Sequence, residues 1–138
     1  MINFFTEDIE FEDYDKNRIQ DFVQKVIDRH YKLLGEVNYI FCSDKYILEV
    51  NKEYLNHDYF TDIISFDYSE GDLISGDIFI SIDTVKDNAE TFKVSFENEL
   101  YRVIIHGILH YIGFKDKTDE EQEMMTKMEN EALAMINI

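Results

Sequence analysis

The stretch His106-Gly107-Ile108-Leu109-His110-Tyr111-Ile112-Gly113-Phe114-Lys115-Asp116 sets two histidines one helical turn apart, followed by a glycine and an aspartate. Histidines at i and i+4 share a helix face, with Cβ atoms about 5–6 Å apart, so both imidazoles reach one metal ion. Gly113 can take a positive φ and stop the helix at little cost. The chain can then fold back and bring Asp116 to the same ion as a third ligand. Two nitrogens and one carboxylate oxygen suit a single Zn²⁺, and three protein ligands leave a fourth position open for chemistry.

The helix carrying these residues, about 97–112, is apolar nearly all round: Leu100, Val103, Ile104, Ile105, Ile108, Leu109 and Ile112. Such a helix belongs in the centre of a domain. Around it, Ile2 to Phe5 reads as a short edge strand, and residues 15–34 as an amphipathic helix ended by Gly35. Val37, Tyr39 and Phe41 alternate as a strand, and Ser43 or Asp44 caps a helix carrying Ile47, Val50 and Tyr54. Asp62 to Phe66 and Gly76 to Ile82 read as strands, with turn residues Ser69 to Asp72 between them. Asp83 to Phe92 reads as a helix. Thr118-Asp119-Glu120-Glu121 has the capping-box form and opens a last helix with Met124, Met125, Met128 and Met135 inward. Helices and strands do not alternate strictly. The expectation is an α+β fold: a small mixed β-sheet packed with about five helices around the central metal-bearing helix, in one domain over residues 1–138.

The formal charge of −17 comes from 30 acidic against 13 basic residues. That argues against general nucleic-acid or anionic-membrane binding, and no DNA partner is expected. The acids crowd Glu7 to Asp15 and Asp119 to Glu131, while Thr84 to Lys117 is balanced, so the metal motif lies in a neutral segment. Cys42 is the lone cysteine, expected as a buried structural thiol in a reducing compartment. Met1 to Phe5 lacks the pattern of a signal peptide and no apolar run approaches a membrane span. The expectation is a soluble, cytoplasmic protein without a membrane partner.

Two histidines in an apolar helix also occur as satisfied core residues. Here the pair, the glycine stop and the in-register carboxylate coincide. Gly107 adds weight, because a glycine inside a helix costs roughly 1 kcal/mol relative to alanine, so something there needs space or close approach. Gly107 also weighs against a peptidase. The zinc-protease motif H-E-x-x-H places its general base beside the first histidine, and this chain has H-G-x-x-H. Phosphodiester hydrolysis is the natural alternative for such a metal. His30 lies in an apolar stripe and reads as a packing histidine; His57 reads as a surface or substrate-side residue.

The segment His106 to Asp116 resembles the signature H-G-x-L-H-x-x-G-Y-D-H of the YbeY family of rRNA-maturation endoribonucleases. Thr61-Asp62-Ile63-Ile64-Ser65-Phe66 resembles that family's T-D-V-L-S-F strand, and Gly76-Asp77-Ile78-Phe79-Ile80-Ser81 its G-D-I-x-I-S strand. Asp119, Glu123 and Met124 suit its acidic last helix. The resemblance implies a cytoplasmic bacterial protein with one zinc at His106, His110 and position 116. It implies single-strand-specific cleavage of RNA in 16S rRNA maturation and ribosome quality control, with rRNA and the small ribosomal subunit as partners. The strand of Thr61 and Ser65 is, by resemblance, one wall of the metal cleft.

Two positions depart from the family pattern. Asp116 stands where a third histidine is usual; it is a competent zinc ligand that leaves the metal a weaker Lewis acid. Leu55 stands where an arginine is common, so phosphate binding by that arginine does not carry over. Arg102, Lys115 and Lys117 are the cations placed to replace it, with solvated surface charge as the alternative. Two other functions stay open on the residues: a ribosome-assembly binding protein with a structural zinc site, and a zinc peptidase with its base elsewhere.

Overall fold

A computed structural model describes residues 1–55 and 61–138. The elements run β1 (Ile2–Thr6), α1 (Lys16–Arg29), β2 (Leu33–Cys42), α2 (Asp44–Leu55), β3 (Ile63–Asp67), β4 (Leu73–Ser81), α3 (Ile82–Phe92), α4 (Phe96–Ile112) and α5 (Asp119–Ala134). The four strands form one sheet in the order β1-β2-β4-β3. β1 pairs parallel with β2 and β2 with β4, while β3 pairs antiparallel with β4. This is the mixed sheet of an α+β fold.

Period-two alternation makes the sheet two-faced. Val37, Tyr39 and Phe41 of β2 and Ile78 and Ile80 of β4 are fully buried, in one core with Phe22, Val23 and Val26 of α1 and Ile104 and Ile108 of α4. Ile64 of β3 and Cys42 point to the other face, where Ile47 and Val50 of α2 cover them. α4 contacts β3, β4, α1, α3 and α5, as its all-round apolar surface requires. The Tyr39 hydroxyl donates to the Ile104 carbonyl at 3.1 Å within the core. Among the described residues no helix is long and apolar enough to cross a membrane.

The ends of several elements differ from the sequence expectation. α1 stops at Arg29, and Leu33 and Leu34 open β2 opposite Leu73 and Ile74. Tyr31 adopts φ 59°, and the Lys32 amide closes on the Ile27 carbonyl at 3.1 Å, so a tyrosine makes the left-handed stop assigned to Gly35. Gly35 instead lies in β2 against Ser75 and the Ile74 carbonyl, where a Cβ has no room. β4 begins at Leu73, before Gly76, and Ile82 opens α3 behind the Ser81 cap. The capping box at Thr118 and Glu121 is present. Met125 is buried and Met128 and Met135 pack at the core edge, but Met124 is exposed; one residue along a helix turns it about 100° off the inner face.

Candidate metal centre

Ser95 caps the N-terminus of α4, accepting from the Asn98 amide at 3.0 Å. Gly113 ends the helix at φ 126°, its amide donating to the Leu109 and His110 carbonyls. The chain then turns back, and Asp116 returns to the helix face that carries His106 and His110. The ligand atoms converge: His106 Nε2 and His110 Nε2 lie 3.0 Å apart, and Asp116 Oδ2 lies 3.2 Å from the first and 3.1 Å from the second. Those edges are close to the roughly 3.3 Å between ligands of a tetrahedral zinc with bonds near 2.0–2.1 Å. The donor set therefore fits a small divalent ion. The three side chains are 21%, 29% and 40% exposed, so the centre opens to solvent and a substrate can reach it.

Gly107, between the histidines, faces the sheet. A Cβ there would stand 3.0 Å from Ile78 Cδ1 and 3.3 Å from Ile63 Cδ1. Close approach of α4 to β3 and β4 thus explains a glycine in mid-helix, and a side chain at the position where a zinc protease carries its glutamate would press on Ile78 and Ile63.

One ligand has a partner that sequence spacing did not disclose. Glu129 of α5, 7% exposed, places Oε2 2.6 Å from His106 Nδ1. Burial pulls the His106 pKa down, but the hydrogen bond and charge of Glu129, then Asp116 and Asp62, outweigh it and hold the imidazole above its ordinary value. Burial likewise raises the Asp62 carboxyl, opposed chiefly by His106. Glu129 lies among many acids of α5, with no periodic relation to His106, so nothing local marks it.

Arg102 shares the histidine face of α4, as its spacing indicates, but its guanidinium is held by α5: Nη1 donates to Glu129 Oε1 at 3.0 Å and Nη2 to Asn130 Oδ1 at 2.8 Å. Lys115 and Lys117 are exposed on either side of Asp116. Ser65 pairs with Ile78 on the sheet face toward α4; Thr61, just before β3, turns its hydroxyl to the Ile63 carbonyl at 3.3 Å. The His30 ring packs edge-on against Phe114 at 5.5 Å. His57 lies outside the described residues.

A family model described as Endoribonuclease YbeY matches residues 2–137. The chain is 53% identical to the Endoribonuclease YbeY of Phocaeicola vulgatus, over all of both chains. It is 52% identical to that of Bacteroides thetaiotaomicron, covering 97% of this chain and 98% of the relative. Among solved structures, the solution structure of TM1509 from Thermotoga maritima matches with a TM-score of 0.68 and 28% identity, over 99% of this chain and 92% of the other.

Proposed function

The chain belongs to the YbeY endoribonuclease family, and from that premise we propose that it is a zinc-dependent enzyme cutting single-stranded RNA in maturation of the small-subunit rRNA. Metal-dependent endoribonuclease action in rRNA maturation is the family's function. Zinc as the metal, single-stranded RNA at the small subunit as the substrate and a cytoplasmic setting are the finer parts of the proposal. The observation that carries it is the convergence of His106 Nε2, His110 Nε2 and Asp116 Oδ2 within 3.2 Å of one another. Two imidazoles and one carboxylate favour zinc over magnesium or calcium, which prefer oxygen ligands throughout.

Bound by these three side chains, the ion supplies Lewis acidity to a phosphodiester and a place for its nucleophile. The protein's own part is to hold and orient. His106 and His110 are fixed on the buried helix α4, and the Gly113 stop returns Asp116 to them. Lys115 and Lys117, exposed on the same return, are the cations proposed to meet an RNA phosphate, whereas Arg102 is already engaged by Glu129 and Asn130. Ser65 lies on β3, the strand flanking α4, and Thr61 just precedes that strand. With glycine at position 107, the site lacks the glutamate base of a zinc peptidase.

His110→Ala tests the reading. Loss of zinc and of single-stranded RNA cleavage, with little change in the melting temperature of the metal-free protein, is expected. Unfolding on metal loss, with no cleavage by pure wild type, would instead assign the ion a structural role in an assembly factor. A 2′,3′-cyclic phosphate on the product would identify the neighbouring ribose hydroxyl as nucleophile; its absence with a 5′-phosphate would identify water.

A further inference from the structure

Glu129 is a buried carboxylate that uses both oxygens on different donors: Oε1 takes the Arg102 guanidinium at 3.0 Å, and Oε2 takes His106 Nδ1 at 2.6 Å. Arg102 is itself held a second time, by Asn130 at 2.8 Å. The arrangement has a consequence for the imidazole. A carboxylate can only accept, so the 2.6 Å contact with Glu129 draws the proton of a neutral His106 to Nδ1 in preference to the longer 3.2 Å contact of Nε2 with Asp116, and the Nε2 lone pair is left facing His110 and Asp116.

We propose that Glu129, anchored by Arg102, is a positioning residue that fixes the Nδ1–H form of His106 and so presents Nε2 to the metal. Arg102 then belongs to the support of the metal centre rather than to the RNA-contacting surface. The requirement is specific to a carboxylate. Glutamine has one acceptor oxygen and an amide NH₂ that only donates, so it cannot present an acceptor to Arg102 and to His106 on its two sides. In Glu129→Gln the Arg102 guanidinium, always charged, holds the amide oxygen and turns the NH₂ toward His106 Nδ1. That selects the opposite tautomer and puts the proton on the nitrogen that must bind metal. Partners of ligating histidines typically account for 10–100-fold in metal affinity.

This rests on the metal reading of the site, and the test separates the two. The imidazole ¹⁵N spectrum of metal-free wild type, at a pH where both α4 histidines are neutral, should show His106 protonated at Nδ1; protonation at Nε2 overturns the proposal without requiring any variant to fold. Zinc affinity, measured by competition with a chelator, should fall 10–100-fold in Glu129→Gln, with the His106 signal shifted to the Nε2–H form. Removing the competing donor in Arg102→Met/Glu129→Gln frees the amide oxygen for His106 and should recover most of both. A single variant with wild-type zinc affinity and spectrum, or a double variant no better than the single, overturns it. A wild type with the Nδ1–H signal but no zinc binding would sink the metal reading and leave the Glu129–His106 bond standing.

Discussion

Gly107 and Ile78 lie so close that a Cβ on the glycine would stand 3.0 Å from the isoleucine Cδ1. The contact seats α4 against β4 at the level of the two histidines. It therefore ties the depth of the metal-bearing helix to the packing of the sheet beneath it.

Gly107→Ala sets two effects against each other. Alanine gains about 1 kcal/mol of helix propensity, while a methyl forced into a close-packed contact costs about 1–3 kcal/mol. A net loss of up to about 2 kcal/mol in urea denaturation is expected. Adding Ile78→Val, which removes the opposing Cδ1, should recover most of it; an unrelieved loss would place the strain elsewhere.

Gly76→Ala should be far more damaging. Its Cβ would run into the Phe66 carbonyl and stand 2.5 Å from the Tyr111 hydroxyl. That hydroxyl lies 2.9 Å from the Phe66 carbonyl and 3.1 Å from that of Asp77, linking α4 to both strands. A loss of about 3 kcal/mol or more is expected. Tyr111→Phe, which only removes the hydroxyl, should cost about 1–3 kcal/mol. Thermal denaturation of both variants checks the order.

Asp116→Asn should weaken zinc binding at least about tenfold, because a neutral amide replaces an anionic ligand. Asp116→His, with the Glu129–His106 contact untouched, should bind zinc again and raise the metal's Lewis acidity. Chelator competition reads both. Unchanged affinity in Asp116→Asn would take the third ligand away from position 116.

Glu99 of α4 is 4% exposed, and burial first, then the Asp62 and Glu129 carboxylates, push its pKa from 4.5 to about 7 against the pull of Arg102. The folded state thus keeps a proton that the unfolded chain has released. Stability should fall as pH rises from about 4.5 to about 7, by on the order of 1–3 kcal/mol. Glu99→Gln removes this loss, so the metal-free variant should gain on wild type across that window and match it below. A difference that does not change with pH would contradict the assignment.

Cys42 is fully buried, and burial followed by Asp8 and Asp44 raises its thiol to about 12. Since the thiolate is the reactive form, a thiol reagent at about pH 8 should label it only on unfolding. Labelling at a model-thiol rate in the native protein would show that the α2 packing over Cys42 opens readily.

Much of this protein was legible along the chain because the signals are local. His106, His110 and Gly113 are related by the geometry of one helix and its stop, and the Thr118–Glu121 cap by another. The apolar surface of α4 announced a central helix, and β-branched alternation announced the strands. Element ends were less legible where tertiary contact overrode local preference: Tyr31 took the left-handed turn, and Leu33 and Leu34 joined β2 because β4 offered them partners.

What no local pattern could supply is the pairing of side chains from distant elements. Arg102 shares the histidine face, as its spacing along α4 requires, but its partners come from α5, 27 and 28 residues away. Glu129 looks like one more solvated acid until α5 packs on α4 and buries it against His106. The sequence alone thus specified the ligands, whose spacing is a property of a single helix and its return. Only the packing of α5 decided which nitrogen of His106 faces the centre, because a buried donor must find its acceptor wherever the fold places one.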